Sequence, residues 1–147
     1  MTTPTPRDFG FVAAQFALLV LFLVDVAALR LPLPEWVRWL SVALVIAGSG
    51  KSFLSLLQLR TSLTPWPTPR AGGQLVTTGM YAYARHPIYG GILLLALGLS
   101  LYSRSGFHLM VSAVLYGLLY YKSVYEEDLL QKAYPGYAQY AAKRRRF

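Results

Sequence analysis

The chain has 147 residues, room for one domain, with 55% apolar residues, 14% charged residues and a formal net charge of +8. That balance is too apolar for an ordinary soluble fold and makes a lipid bilayer the expected solvent. There is no cysteine, which excludes disulfides and thiolate metal sites, and His86 and His108 stand far apart without paired partners, which argues against zinc.

The first apolar segment, FGFVAAQFALLVLFLVDVAAL from residue 9, predicts a helix over about 9–30, broken only by Gln15 and Asp25. It matches the length needed to cross about 30 Å of hydrocarbon. It is too long for the apolar core of a cleaved signal and lacks a small-x-small site, so it reads as a retained anchor. Asp25, five residues before Arg30, reads as an outer-interface residue.

A second helix is expected over 36–59. It contains GSGKS at 48–52, which looks like the end of a phosphate-binding loop, but Val45 stands where that motif needs glycine and no soluble strand precedes it. Gly48, Ser49 and Gly50 are instead expected to let a neighbouring helix approach closely. Lys51 is expected to snorkel, with binding of an acceptor as the alternative.

The stretch LTPWPTPRAGG at 63–73 cannot continue a helix, so 60–86 is expected to be a surface loop. It leads to YAYARHPIYGG at 81–91 and a third helix over 87–103, with Pro87 in the first turn and His86 near the N-cap. SRSG at 103–106 reads as a hairpin tip, and a fourth helix over 107–133 has no breaker before Pro135. His108, beyond that tip, is expected to be a solvated residue at a helix start.

Four helices crossing in alternation would put ten basic residues on one side: Arg7, Arg60, Arg70, Arg85, Lys122, Lys132, Lys143 and Arg144 to Arg146. Only Arg30, Arg38 and Arg104 fall on the other, so both termini and the middle loop are expected in the cytoplasm. The terminal KRRR then reads as a lipid-surface anchor rather than a nucleic-acid patch. The expected architecture is all-α, one domain over 1–147, with four transmembrane helices and a short cytoplasmic C-terminal helical extension.

An antiparallel hairpin centred at 104–105 puts Glu126 and Glu127 level with Tyr83 and Ala82, close to Arg85 and His86. Free N–H groups at the start of the third helix attract a carboxylate, the acidic pair attracts ammonium or hydroxyl groups, and tyrosine faces attract soft cations. S-adenosylmethionine carries all of these groups. A purely structural reading stands beside it, with Arg85 paired to a glutamate and the tyrosines forming an interfacial belt.

The order TPWPTP, LVTTGMYAYARHPIYGG, YEEDLL, YPGYAQY resembles the isoprenylcysteine carboxyl methyltransferase family and the related phospholipid methyltransferases. The likeness covers about 63–140. It rests on R-H-P-x-Y-x-G, matched by Arg85, His86, Pro87, Tyr89 and Gly91, and on the pair Glu126 and Glu127. It implies an S-adenosylmethionine-dependent methyltransferase whose lipophilic acceptor arrives from the bilayer, with isoprenylcysteine-like carboxyl O-methylation expected first. Arg85, Glu126 and Glu127 are the implied catalytic set. Tyr81, Arg85, His86, Pro87, Tyr89, Gly91, Glu126, Glu127, Tyr134 and Tyr137 are the implied cofactor-binding set, and Pro135 and Tyr140 share the C-terminal aromatic motif that folds over the cofactor.

The chain departs from the family at Lys122, where arginine is common, and in ending RRRF rather than arginine-proline. It also has fewer expected helices than the eukaryotic enzymes. Methylation of a phospholipid amine or a small thiol, an NADPH-dependent membrane reductase, and a non-catalytic transporter or scaffold are the alternatives.

Overall fold

The computed structural model describes residues 3–147 except Asp25, and among them the secondary structure is helical with no strand. Asp25, and with it the expected role at the interface, lies outside the described residues.

Helix α1 spans Pro6–Val20. Its start is set by a capping box: Thr5 accepts from the Asp8 backbone N–H, and the Asp8 carboxylate accepts from the Thr5 backbone N–H at 2.7 Å. Pro6 at N1 suits a position with no hydrogen bond to lose. The helix ends earlier than the sequence predicts. A 3-10 turn at Leu21–Leu23 closes it, and Val24 is already extended at φ −94°, ψ 123°. The extended backbone leaves the Val24 carbonyl available to His108, whose Nε2 lies 2.9 Å away. His108 is therefore a correction: it is buried, hydrogen-bonded to Ser103 at 2.9 Å and stacked on Phe22 at 5.1 Å, tying the end of α1 to the far hairpin.

Helix α2 spans Glu35–Leu59, α3 Pro87–Tyr102 and α4 Gly106–Ala133, each within a residue of its expected limits. A short α5 at Tyr137–Ala142 follows. The loop between α2 and α3 holds 3-10 turns at Arg60–Ser62 and Gly79–Ala82. At the hairpin tip Arg104 has φ +52°, and its carbonyl accepts from Leu31 at 2.8 Å. Ser105 caps α4 by accepting from the His108 N–H.

Among the described residues two segments are long and apolar enough to cross a bilayer, Pro6–Leu23 and Glu35–Leu59. At 16 residues α3 reaches only about 24 Å. The 28 residues of α4 suffice in length, but Lys122, Glu126, Glu127, Asp128 and Lys132 occupy its second half. Beside a core of Leu115 and Leu119, the buried face of α2 is made mostly of small residues while its large apolar ones point outward: Trp39, Ile46 and Phe53 are exposed, and Ser41, Gly48 and Ser55 are buried. That inversion suits a lipid environment, where helices associate by close packing rather than by hiding apolar surface.

The α2–α3 pair is built on this. Ser41, Gly48 and Ser55 recur every seven residues on the buried side of α2. A Cβ on Gly48 would stand 2.6 Å from the Gly91 carbonyl and the Leu95 nitrogen, so backbone meets backbone. Gly48 thus has the expected packing role. Ser49 and Gly50 do not, because both are exposed and a Cβ on Gly50 would meet nothing. Lys51 lies along α3, its Nζ 2.6 Å from where a Gly90 Cβ would be.

In the α3–α4 hairpin Ser100 and Ser112 share a hydrogen bond at 2.9 Å, which centres the hairpin on residue 106 rather than 104–105. The short tip, with Arg104 left-handed, displaces the pairing by about three residues, nearly one turn, at that depth. Arg85 and His86 accordingly meet Glu127 rather than sitting one turn beyond it.

Candidate active site

Three segments meet at the end of the hairpin opposite its tip. The first is the N-cap of α3, where His86 takes a non-helical backbone and Pro87 begins the helix. The second is the polar half of α4. The third is the C-terminal tail, which runs beside residues 84–86 and accepts from them: Arg85 N–H to Arg145 at 2.9 Å and His86 N–H to Arg146 at 2.8 Å. Tyr140 supports the same strip by donating its hydroxyl to the Tyr81 carbonyl at 2.6 Å.

These contacts separate the two glutamates. Consecutive helix positions point about 100° apart, so Glu126 and Glu127 take different partners and share only His86, whose Nδ1 lies 3.7 Å from Glu126 and whose Nε2 meets Glu127. Glu127 is the hub of an ion cluster, with Arg85 at 3.3 Å, Arg146 at 3.2 Å and His86 Nε2 at 3.0 Å. Burial pushes its carboxyl up, but the His86 hydrogen bond and the charges of His86, Arg85 and Arg146 outweigh that and hold it below its ordinary value. Glu126 instead accepts the Tyr89 hydroxyl at 2.8 Å and faces a cavity. The Tyr89 ring stacks on His86 at 5.4 Å, almost parallel.

The cavity has a volume of about 520 Å³, within the range of small-molecule sites. Its polar end is formed by Arg85, His86, Glu126, Tyr81, Tyr137 and Tyr140, with Tyr134 beside them. Burial raises the hydroxyl pKa of Tyr81, Tyr134, Tyr137 and Tyr140, so all four stay protonated and can donate hydrogen bonds near neutral pH. Its apolar end reaches between α1 and α2, with Val12 and Phe16 on one wall and Leu56 and Leu59 on the other. α2 packs on α3 and α1 on α4, which leaves this slot between α1 and α2. The proline loop roofs the space through Thr64, Pro65 and Pro67. It is pinned to α1 by the Thr68 hydroxyl, which donates to the buried Asp8 carboxylate at 2.7 Å, and by Trp66 against Phe9 at 4.4 Å.

Of the expected site residues, Tyr81, Arg85, His86, Tyr89, Glu126, Tyr134 and Tyr137 line this cavity. Glu127 stands behind the wall and fixes Arg85 and His86. Pro87 is buried at the head of α3. Gly91 is turned to α2, where a Cβ would lie 2.7 Å from the Gly48 carbonyl, so its place is in helix packing and not on the cavity. The expected anchor role of the terminal basic run does not hold for Arg146: a tail without periodicity folds back because Glu127 and Ser123, the latter accepting at 2.8 Å, receive its guanidinium. Sequence reasoning also missed Asp8, Gln15 and Thr68. Only Asp8 had a readable signal, the T-x-x-D capping pattern.

The motif region also matches a known family: residues 36–136 fit the phospholipid methyltransferases. The chain belongs to the phospholipid methyltransferase family. The match takes in α2, α3, α4 and the whole RHP and glutamate-pair constellation, but stops before α5 and Arg146. A curated relative is the cobalt-zinc-cadmium resistance protein CzcN of Cupriavidus metallidurans, 34% identical over 107 residues, which are 71% of this chain and 49% of that one. The chain therefore spans about half the length of that relative. Family membership and the two long apolar helices together fit a membrane protein.

Proposed function

We propose that this phospholipid methyltransferase family member transfers the methyl group of S-adenosylmethionine to a lipophilic acceptor at the cytoplasmic face of the membrane, most directly an isoprenylcysteine-like carboxylate. The observation that carries this reading is the two-ended cavity, polar at the α3 N-cap and apolar between α1 and α2. The residues fit the methyl donor. Arg85 and the head of α3 suit its carboxylate, Glu126 its hydroxyl or ammonium groups, and the tyrosine faces its sulfonium.

The methyl donor supplies an electrophilic carbon whose bond to sulfur breaks as the acceptor oxygen bonds to it, leaving a neutral thioether. A carboxylate, with a pKa of about 4, is already ionised at neutral pH and needs no base. The protein then works by alignment and exclusion of water, roles for the stacked His86–Tyr89 pair and the proline roof. A phospholipid amine would arrive protonated and would meet Arg85 and Lys122 as like charges.

Calorimetric titration of the full chain in detergent separates the classes. S-adenosylmethionine and S-adenosylhomocysteine should bind, and NADPH should bind at least tenfold more weakly, a difference of about 1.4 kcal/mol. NADPH binding alone would favour a reductase, and no binding of any of the three would sink the methyl-transfer reading.

We also propose that all four long helices cross the bilayer, with α3 and α4 as a paired hairpin and both termini in the cytoplasm. The ten-to-three distribution of basic residues supports it. In a chain without cysteine, single cysteines at the exposed positions Gly72 and Gln139 should label only from the cytoplasmic side, and one at Pro32 only from outside. Labelling of positions 72 and 32 from the same side would refute the topology.

A further inference from the structure

Lys122 lies in the cavity wall and makes no direct ion pair among the described residues. Its residue is 3% exposed, and its Nζ donates to the Gln15 side-chain carbonyl at 2.8 Å and lies 5.0 Å from the Tyr89 ring centre. Both partners are neutral. The carboxylates that act on it do so from a distance: Glu126, one turn along α4, takes the Tyr89 hydroxyl, and Asp8 takes the Thr68 hydroxyl and the Thr5 backbone through one oxygen. An ammonium has three donors, so two remain for a ligand.

A buried ammonium whose side-chain hydrogen bond goes to a neutral amide and not to a carboxylate is poorly compensated, and such a group in a cavity points to an anion supplied from outside. The position narrows which one. Gln15 comes from α1, and Lys122 lies on the membrane side of Glu126, where the polar end of the cavity passes into the apolar slot walled by Val12 and Phe16. A lipid entering through that slot with its tail between α1 and α2 would bring its headgroup to Lys122 first.

We infer that Lys122, aimed by Gln15 and the Tyr89 ring, is the specificity-determining residue that selects a long-tailed acceptor bearing a carboxylate. The inference rests on the methyl-transfer reading for the word acceptor, but the binding preference it asserts can be measured without the methyl donor. Lys122 holds one carboxylate oxygen while the other is left to react, and it takes no part in binding the methyl donor.

The test compares three probes on the full chain in nanodiscs: a prenyl-tailed cysteine carboxylate, its carboxamide, and phosphatidylethanolamine. The wild type should bind the carboxylate about tenfold or more tighter than the carboxamide, the worth of a charge-assisted hydrogen bond. Lys122→Met, similar in volume, should bring that ratio close to one while S-adenosylmethionine affinity stays within about threefold. Lys122→Arg should keep the preference. Equal wild-type affinity for carboxylate and carboxamide overturns the inference, and this arm stands even if the methionine variant fails to fold. So does a preference for phosphatidylethanolamine that vanishes in Lys122→Met, since the anion would then be a phosphate. Loss of S-adenosylmethionine binding in Lys122→Met, with the lipid preference intact, would move Lys122 to the donor site. Failure of the wild type to bind S-adenosylmethionine, with the carboxylate preference present, would sink the methyl-transfer reading and leave the anion site standing.

Discussion

Glu127→Ala should lower stability by about 3 kcal/mol and abolish measurable S-adenosylmethionine binding, whereas Glu126→Gln should weaken binding with a stability change of about 1 kcal/mol or less. The difference follows from what each carboxylate leaves behind. Removing Glu127 strips the counter-charge from Arg85 and Arg146 together and takes the hydrogen-bond partner of His86 Nε2. Removing the charge of Glu126 loosens the Tyr89 hydroxyl and a longer contact with His86 Nδ1 at 3.7 Å. Thermal unfolding in detergent and calorimetry on the same samples would measure both, and equal stability losses would refute the division of labour.

The cluster also sets an acid limb. The Glu127 carboxyl lies below its ordinary value of 4.5 in the folded chain, so protons bind the unfolded chain more readily there. The stability it contributes is fully present above 4.5 and is lost as pH falls through the lower folded value. In Glu127→Gln that part of the acid limb should flatten.

Gly91→Ala should destabilise the chain by about 2–3 kcal/mol, as overpacking does, and should reduce ligand binding only in proportion to unfolding. Its new methyl would stand 2.7 Å from the Gly48 carbonyl and 2.8 Å from the Ser52 nitrogen, backbone atoms that cannot move without parting α2 from α3. Gly117→Ala is the control. Its site in α4 has open space, so the change should be neutral or slightly favourable. A stable Gly91→Ala protein that no longer bound S-adenosylmethionine would place this glycine on the ligand and contradict its packing role.

The contrast between these residues shows what the sequence could determine. Apolar runs of fixed length, Pro87 in a first turn, and the breaker-free stretch to Pro135 placed α2, α3 and α4 to within a residue, because local propensity and helix caps act over a few neighbours. The RHP motif and the acidic pair were close enough in hairpin depth for their meeting to be foreseen, because an antiparallel pair with a short tip has little freedom of register. Family resemblance then supplied the chemical class.

Tertiary structure alone decided which glutamate does what. Two adjacent acidic residues are equivalent in a sequence, and the helical rotation between them matters only once neighbours are in place. His108 looked solvated because nothing local announced that α1 would end early and offer it the Val24 carbonyl. Asp8 carries a local cap signal, but its bond to Thr68 joins residues 60 apart. Arg146 sat in a run of four basic residues that any charge count assigns to the surface, and only the return of the tail along residues 84–86 brings it to Glu127. Gly91 belongs to the same class: a motif names it, but the backbone of α2 at van der Waals distance explains why no side chain fits there. Lys122 completes the set, since its charge was visible from the start, whereas the absence of a direct ion pair to it among the described residues depends on where Gln15, Tyr89 and Glu126 end up in space.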